Sequence, residues 1–598
     1  MKHSILKFGL FSLMLLLAFA CEKPNAEENK PSTEKPGLLA GVTIELNFDE
    51  DKVTATTAQA DYSIDLGAAS GAPINVKIKY SIAESLNEGS SSTYVKTLDK
   101  SASYVVLDGL LFDRIYYYEV YTELYGTKYT SGKGTFKTSA VSVAMNDPRE
   151  TDEGLVLSGK VQGVAQEDKQ QLGVYLCFNE AGYSDKVQRF DFDVPESNEI
   201  EVLIPGLNIA TDYEYWWVIW DDETKTEEGD KLTYTTNDPY AQPKEVSAAG
   251  TDLSADGTTA NCYIVPASGA YKFKMTKGNS SEPVGNVASV RVLWESFGTA
   301  VSPKPFELIS AAGMDGEYAL FEVPQDYKEG NAVIAAYDAA GTILWSWHIW
   351  LTSAQMTEIT YANGAGIMLD RNLGALSATP NDAKALGLFY QWGRKDPFLG
   401  SSSISHASYA RSTRYLKETA NTPETATLSY ALENPHKFIL ANNEGNWLAS
   451  KDNSLWSSVK TIYDPCPVGW CIPEGGFNDG IGETGMKDGL WAKAGIPGKG
   501  PTQFAEGDDG RFGKLLSTPF CTPESWYPAA GSIDGTNWQI HELGVDGVYA
   551  SVTAFGGTDT YVTGLLINYL PNDSVHYIYC GGQKWMRAGG VSVRCCKE

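Results

Sequence analysis

The chain of 598 residues predicts a mainly β protein, with tandem β-sandwich modules followed by a C-terminal domain of different character. Long apolar segments with a 3.6-residue period are scarce, whereas glycine (58 residues) and tyrosine (33 residues) are abundant. A pattern occurs twice near the N-terminus, and the composition changes close to residue 355. The length is enough for about four domains.

The N-terminus has the features of an export signal. Lys2 and Lys7 precede an apolar run from Phe8 to Ala20, which ends in small residues next to Cys21. The run falls short of the about 20 apolar residues that span a membrane and has the length of a secretory signal. The segment resembles a bacterial lipobox, which implies a signal peptide at 1–20 and acylation of Cys21 in outer-membrane lipid. The alternative is an ordinary signal peptide with an incidental cysteine.

Residues 21–38 are predicted to form a disordered tether. They contain Pro, Glu, Lys, Asn, Ser and Thr but no aromatic residue, so they cannot bury enough apolar surface to fold. The acidic residues Glu22, Glu27 and Glu28 resemble the export signal of surface lipoproteins in the Bacteroidetes, which implies exposure at the cell surface. The net charge of −28 argues against a nucleic-acid partner and fits a secreted protein.

The repeat lies in the first 240 residues. The segment "LDGLLFDRIYYYEVY" at 107–121 aligns with "IPGLNIATDYEYWWV" at 204–218, and "TFKT" at 135–138 aligns with "TYTT" at 233–236 within one residue. The matched pairs are Gly109 with Gly206, Leu110 with Leu207, Tyr116 with Tyr213, and Tyr118 with Tyr215. The alignment predicts two modules, at 39–139 and 140–237.

Each module is predicted to be a sandwich, because alternating strands are separated by polar turns. Tyr116 and Tyr213 stand just inside the penultimate strand, where a tyrosine corner would place them. The modules resemble fibronectin type III (Ig-like) modules, such as those that form tandem stalks on surface proteins. We interpret the aromatic residues as core.

Residues 240–352 are predicted to form a third β domain. In "WSWHIWL", Trp345, Trp347 and Ile349 point to one face of a strand. Ser346, His348 and Trp350 point to the other face, so the strand is predicted to be buried on both sides. His348 could be a ligand, but this segment has no second histidine, and a structural role is favoured.

The C-terminal region contains a set of motifs in a fixed order. The motifs are "MLDRNLGA", "GLFYQWGRKDPF", "YDPCPVGW", "YPAAG" and "SVRC", within residues 355–598. They resemble the Fibrobacter succinogenes major paralogous domain, whose members are often lipoproteins with β-sandwich modules in front. The resemblance implies an α+β, C-type-lectin-like fold, as in sugar-binding lectins, adhesins and formylglycine-generating enzymes. Residues 422–435 are predicted to contain a short helix.

The stretch "YDPCPVGWCIP" raises the question of what its two cysteines do. Their C-x4-C spacing is neither that of zinc ribbons nor that of thioredoxins, and no histidine lies between Phe438 and Gln539. Export permits disulfides. The family resemblance implies a bond between Cys466 and Cys595.

The other C-terminal cysteines leave the pairing open. Cys471 and Cys596 stand where the family usually has other residues, so they could bond to each other. Cys521 and Cys580 could form a local second bridge. Six cysteines allow many pairings, and the sequence does not choose among them.

No cofactor or catalytic residue is predicted. Calcium-dependent sugar binding is not supported, because the nearest match to its motif, "LPND" at 570–573, has no oxygen ligand at Leu570. The acidic loops at 476–485 and 506–513 could hold an ion, but we interpret them as solvated turns. Cys466 and Cys471 share the spacing of the formylglycine-generating cysteines but stand in a different part of the fold. We find no hydrolase or phosphate-loop motif.

These observations predict a lipid-anchored binding protein or adhesin at the surface of the outer membrane, recognising a glycan or a protein. One alternative is a structural fimbrial accessory or tip subunit. A minor alternative is an enzyme that resembles formylglycine-generating enzymes or processes glycans.

Overall fold

The protein is described by a computed structural model over most of its length. The described residues are 37–39, 41–87, 89–124, 127–151, 153–221, 225–247, 249–405, 407, 416–475, 489–496, 502–505, 512–554, 561–568, 575–580 and 585–598. They are mainly β, as predicted. Within these ranges no helix is long and apolar enough to cross a membrane.

The first module is a sandwich of two antiparallel sheets. Its strands are β1 (Thr43–Val53), β2 (Ala58–Asp65), β3 (Asn75–Ser81), β4 (Thr93–Thr97), β5 (Tyr104–Leu107), β6 (Ile115–Leu124) and β7 (Thr127–Lys137). The sheets have the orders β1-β2-β5 and β4-β3-β6-β7. Apolar side chains that alternate along β3 and β6, such as Val76, Ile78 and Val120, fill the space between them.

The second module repeats this topology. Its strands are β8 (Ser142–Met145), β9 (Arg149–Thr151), β10 (Gly154–Gln162), β11 (Leu172–Glu180), β12 (Gln188–Asp193), β13 (Glu199–Ile204), β14 (Asp212–Asp221), β15 (Lys225–Glu228) and β16 (Leu232–Thr235). The sheets have the orders β8-β10-β13, with β9 also on β10, and β12-β11-β14-β15, with β16 also on β14. The shared strand order agrees with the duplication read from the sequence.

Both modules contain a tyrosine corner at the matched position. The backbone N–H of Leu111 donates to the hydroxyl of Tyr116 at 2.8 Å, and that of Asn208 donates to Tyr213 at 2.9 Å. Each tyrosine thereby fixes the loop that leads into its own strand, β6 or β14. The aligned residues of the repeat thus play the same structural role twice.

The third β domain has a different topology. Its strands are β17 (Thr251–Asp252), β18 (Cys262–Val265), β19 (Gly269–Lys274), β20 (Ser289–Ser296), β21 (Ala311–Asp315), β22 (Tyr318–Val323), β23 (Gly330–Tyr337) and β24 (Ile343–Leu351). The sheets have the orders β17-β19-β22-β21 and β18-β24-β23-β20. Phe273, Ile334 and Trp347 lie in the core between them.

Strand β24 is buried on both faces, as its sequence predicts. Trp345 and Trp347 face the core of the third domain, whereas Trp350 packs in one cluster with Leu369 and Trp392 of the C-terminal region. The sheet that contains β24 is therefore a middle layer, and the third domain shares a core with the C-terminal domain.

The C-terminal domain consists of many short strands. They are β25 (Glu358–Tyr361), β26 (Gly366–Leu369), β27 (Leu388–Gln391), β28 (Phe398–Leu399), β29 (Lys417–Thr419), β30 (Lys437–Ile439), β31 (Trp470–Cys471), β32 (Thr502–Ala505), β33 (Gly513–Leu516), β34 (Cys521–Thr522), β35 (Ser525–Pro528), β36 (Ser532–Ile533), β37 (Ile540–His541), β38 (Asp546–Ala554), β39 (Tyr561–Asn568), β40 (Val575–Cys580), β41 (Trp585–Met586), β42 (Gly590–Ser592) and β43 (Cys596–Lys597). One sheet has the order β31-β43-β26-β25-β34, and another has β28-β27-β42-β38-β39-β40-β32 along its main path.

Helices are short throughout the described part of the chain. The α-helices are α1 (Leu428–Glu433) and α2 (Leu490–Lys493), and the 3-10 turns are Gly37–Leu39, Gly67–Ala69, Gln166–Gln170, Ser184–Lys186, Ala362–Gly364 and Ala383–Ala385. The helix predicted within 422–435 exists as α1 but begins later than its sequence signals indicate. Thr427 caps it, because its hydroxyl accepts a hydrogen bond from the Tyr430 N–H at 3.1 Å.

Candidate ligand-binding site

The structure joins Cys466 to Cys595 in a disulfide. Cys466 lies in the loop before β31, and Cys595 directly precedes β43, so the bond ties that loop to the end of the chain. Both residues are fully buried. This arrangement gives Cys466 a structural position.

The remaining C-terminal cysteines are thiols. Cys471 and Cys596 are direct partners across β31 and β43, with their sulfurs 3.5 Å apart. Cys521 and Cys580 do not form the local bridge considered from the sequence. The Cys521 thiol instead donates to the Leu516 carbonyl at 3.4 Å, and the Cys580 thiol donates to the Ile496 carbonyl at 3.1 Å. Burial raises the pKa of Cys521 to about 11 and that of Cys580 to about 12, so neither is an activated nucleophile.

The arginine of the "SVRC" motif is used inside the domain. Arg594 is fully buried, and its guanidinium donates to Asn372 Oδ1 at 2.8 Å and to Ser525 Oγ at 2.8 Å. It also donates to the Trp526 carbonyl at 2.6 Å and lies 4.0 Å from the ring centre of Tyr527. These contacts connect three segments of the domain and engage the Arg594 guanidinium inside it.

A second buried cation supports the disulfide loop. The Lys460 ammonium lies 3.3 Å from Asp464 Oδ1 and donates to the carbonyls of Cys466, at 3.0 Å, and Pro467, at 3.2 Å. Asp464 in turn accepts hydrogen bonds from the N–H groups of Cys466, at 2.8 Å, and Ile472, at 2.9 Å. The polar residues around "YDPCPVGW" therefore hold the backbone of this loop.

His348 lies inside the middle layer. Its Nε2 is 2.9 Å from Asn331 Oδ1, and burial lowers its pKa to about 3. Asn331 also donates to the Gly374 carbonyl at 3.0 Å, which links the third domain to the C-terminal domain. His348 is thus neutral, and its hydrogen bond to Asn331 supports the contact between the two domains.

Other candidate residues from the sequence lie outside the described residues. They are Cys21, the loop 476–485 and the segment 570–573 with Leu570, together with 506–511 of the second acidic loop. In the described ranges no group of three or more His, Cys, Asp or Glu side chains could hold a metal ion.

A cleft of about 700 Å³ lies between the second sandwich and the C-terminal domain. Its volume is within the range of small-molecule sites, about 300–1,000 Å³. The sandwich wall is formed by Phe178, Glu180, Tyr183, Lys186, Gln188, Phe190, Ile204, Pro205, Gly206, Leu207, Asn208 and Tyr213, and the opposite wall by Leu399, Leu416, Lys417, Glu418 and Trp538. We call this the interdomain cleft.

One lysine connects the two walls. Lys417 is the first residue of β29, and its ammonium lies 2.6 Å from Thr211 Oγ1 and 3.4 Å from Glu180 Oε1. Glu180 ends β11 and also accepts a hydrogen bond from the Asn208 amide at 3.3 Å. The Lys417 ammonium is therefore paired before any ligand enters.

Trp538 has an unusual backbone conformation. It lies in the turn between β36 and β37 with a φ of 62°, which costs a bulky residue about 1–2 kcal/mol. Its ring packs edge-on against Phe438, with ring centres 4.7 Å apart, and Phe398, at 5.8 Å. The surrounding structure thus holds the tryptophan at the cleft despite the strain.

No motif in the sequence indicates this cleft. Its walls come from segments that are far apart in the chain, so no local pattern brings Glu180, Lys417 and Trp538 together. One signal was present in the sequence, namely a tryptophan in the polar turn "DGTNWQ".

Comparisons with known proteins give a weak likeness only. No family model matches the chain, and no curated protein matches it. Among solved structures, a segment of two fibronectin type III domains from chicken tenascin is 12% identical and covers 32% of this chain and 97% of its own, with a TM-score of 0.16. The chicken interferon gamma receptor alpha chain is 10% identical and covers 33% and 99%, with a TM-score of 0.17. The assignment of the first two modules as sandwiches rests on their strand order and tyrosine corners.

Proposed function

We propose that this chain is a lipid-anchored binding protein or adhesin of the outer-membrane surface, which presents its C-terminal domain on a β-sandwich stalk. The observation that carries the proposal is the interdomain cleft. It is large enough for a ligand, and both apolar and polar side chains line it. The proposed ligand is a glycan or a protein.

Buried hydrogen bonds between the first two sandwiches support the proposed stalk. Asp168 of the second sandwich is fully buried and accepts hydrogen bonds from Thr54 Oγ1 at 2.6 Å and from the Thr56 N–H at 2.8 Å. The Phe112 N–H donates to Asp221 Oδ2 at 3.0 Å. These bonds hold the first two sandwiches together, as a stalk requires.

The chemistry of the C-terminal motifs also favours binding over catalysis. Arg594 and Lys460 are engaged in contacts within the domain, and Cys466 is in a disulfide. An enzyme needs a nucleophile or an acid–base pair in reach of its substrate. We therefore propose a binding role for this domain, and a C-type-lectin-like fold is the finer part of the proposal.

The lipid anchor is tested by the mature N-terminus. Mass spectrometry of protein extracted from membranes should show Cys21 as the first residue, carrying acyl chains. An unmodified mature N-terminus at another residue contradicts the anchor while leaving the binding proposal open to its own test.

The binding proposal is tested on arrays of glycans, mucins and surface proteins. The chain with Cys21→Ser, applied with and without EDTA, should bind a subset of the arrayed molecules in both conditions. Absence of binding to every glycan, mucin and surface protein offered would contradict the proposed function.

A further inference from the structure

The interdomain cleft has no net charge on its lining. Lys186 and Lys417 are matched by Glu180 and Glu418. The Lys417 ammonium is engaged by Thr211 and Glu180, and the Lys186 ammonium lies 4.7 Å from the ring centre of Tyr183. A phosphate, sulfate or carboxylate ligand would meet carboxylates without a surplus cation. The lining therefore selects a neutral ligand.

Both walls contribute an aromatic ring. Trp538 comes from the C-terminal domain, and Tyr183 lies on the second sandwich beside the turn Ser184–Lys186. The face of an aromatic ring is electron-rich and attracts the weakly positive C–H groups of a sugar ring. A site with aromatic rings on opposite walls suits a flat ligand that is apolar on its faces.

The polar groups of the cleft match hydroxyl groups. Asn208 and Gln188 have amides that donate and accept, while the carboxylates of Glu180 and Glu418 accept only. Hydroxyls serve as donors and acceptors at once, so a polyhydroxylated ligand can satisfy this mixed set. The volume of about 700 Å³ has room for more than one sugar ring.

We infer that the interdomain cleft binds a neutral oligosaccharide without calcium, with Trp538 as a stacking platform on one wall and Gln188 as a hydrogen-bonding group on the other. The inference rests on the proposed function and names its ligand class and site. Since the ligand contacts both walls, its binding also fixes the joint between the stalk and the C-terminal domain.

The test measures the affinity of the chain for a panel of neutral and acidic oligosaccharides by titration calorimetry in EDTA. Trp538→Gly removes the ring and suits the positive φ. Because the ring also packs against Phe398 and Phe438, the thermal unfolding of the variant is measured beside its affinity, and Gln188→Ala tests the site without changing this packing. We expect affinity for neutral oligosaccharides to fall at least about tenfold, the effect of removing an anchoring tryptophan. Gln188→Ala, on the exposed opposite wall, should weaken binding about threefold or more through loss of one hydrogen bond.

The control is Tyr104→Ala, which removes an exposed aromatic residue from β5 of the first sandwich and should leave affinity unchanged. Neutral-sugar binding that survives Trp538→Gly would overturn the inference but leave the proposed function standing. Binding lost in Trp538→Gly but unchanged in Gln188→Ala would overturn the two-walled site. Binding of acidic oligosaccharides only, or of no oligosaccharide in the panel, would overturn the inference, whereas the proposed function is decided by its own test on the arrays.

Discussion

At the scale of single residues, buried polar groups in the described chain act mainly as supports for the backbone. Glu295 is the clearest case. It accepts a hydrogen bond from the Tyr240 hydroxyl at 2.6 Å and from the N–H groups of Phe306, at 2.7 Å, Leu308, at 2.7 Å, and Ile309, at 2.8 Å. These bonds compensate for the cost of burying a carboxylate. The same logic explains Arg594, Lys460 and Asp168.

Buried histidine makes stability depend on pH. The pKa of His348 is lowered to about 3 by burial, so the folded state keeps this side chain neutral where the unfolded chain protonates it. The unfolded state therefore binds more protons below about pH 6.5, and the stabilising contribution, present above that pH, is lost as pH falls. Each pH unit below about 6.5 should cost about 1.4 kcal/mol from this residue.

The measurement is urea unfolding of the chain at pH 7 and pH 5, followed by tryptophan fluorescence. Between pH 7 and pH 5, the free energy of unfolding of His348→Gln should fall by about 2 kcal/mol less than that of the unsubstituted protein. His541→Gln, at an exposed position, is the control and should behave as the unsubstituted protein does. Equal losses in all three proteins would show that His348 is not held neutral.

At the scale of elements, the sequence predicts most where a pattern is local and repeated. The strands of the first two modules follow from alternation and the duplicated Tyr116 and Tyr213, and β24 follows from apolar residues on both faces. Helix α1 begins at Leu428, where the Thr427 hydroxyl caps it by accepting a hydrogen bond from the Tyr430 N–H. The sequence did not predict the middle-layer role of β24, since no local pattern shows that Trp350 packs with Leu369 and Trp392 of the next domain.

The interdomain cleft marks the limit of sequence reasoning about the site. Its walls are joined by the contacts of Lys417 in β29 with Thr211, which directly precedes β14, and with Glu180. Neither Lys417 nor Thr211 lies in a sequence motif that indicates a binding role. The disulfide partner of Cys466 was anticipated only through family resemblance, since spacing left several pairings open.

Removing the disulfide should destabilise the C-terminal domain together with the third domain, which shares its core. The double change Cys466→Ala and Cys595→Ala should lower its free energy of unfolding by about 2–5 kcal/mol, the usual cost of losing a native disulfide. The sandwiches at 39–237 have their own cores and should unfold as before.

The control is Cys177→Ala, which removes a thiol from β11 and should leave the C-terminal transition unchanged. Non-reducing peptide mapping gives the pairing directly. A free thiol at Cys466 in protein isolated from cells would contradict the structural role of this residue.

At the scale of the whole molecule, neighbouring modules share packing as well as a chain. Ala55 and Phe112 of the first sandwich lie in the core of the second, and Cys262 and Trp294 of the third domain lie in the core of the C-terminal domain. The sequence predicts modules that fold separately. The shared cores instead lead us to expect that the first two sandwiches stabilise each other.

Asp168 is the residue that tests this coupling. Asp168→Ala leaves the Thr54 and Thr56 donors without their acceptor, so we expect a loss of about 2–4 kcal/mol in the stability of residues 39–237. Calorimetry of the chain should then show the joint transition of the two sandwiches separate into two. Glu167→Ala, at the exposed neighbouring position, should change neither the stability of residues 39–237 nor the number of their transitions. A single unaltered transition in Asp168→Ala would refute the coupling.

A crystal structure of the chain, saturated with an oligosaccharide selected on the arrays, decides whether the interdomain cleft is a ligand site. We expect a sugar ring stacked on Trp538, with its hydroxyls in hydrogen-bond contact with the sandwich wall at Gln188 or Asn208. A sugar bound to another face of the protein, with the cleft empty, would contradict it.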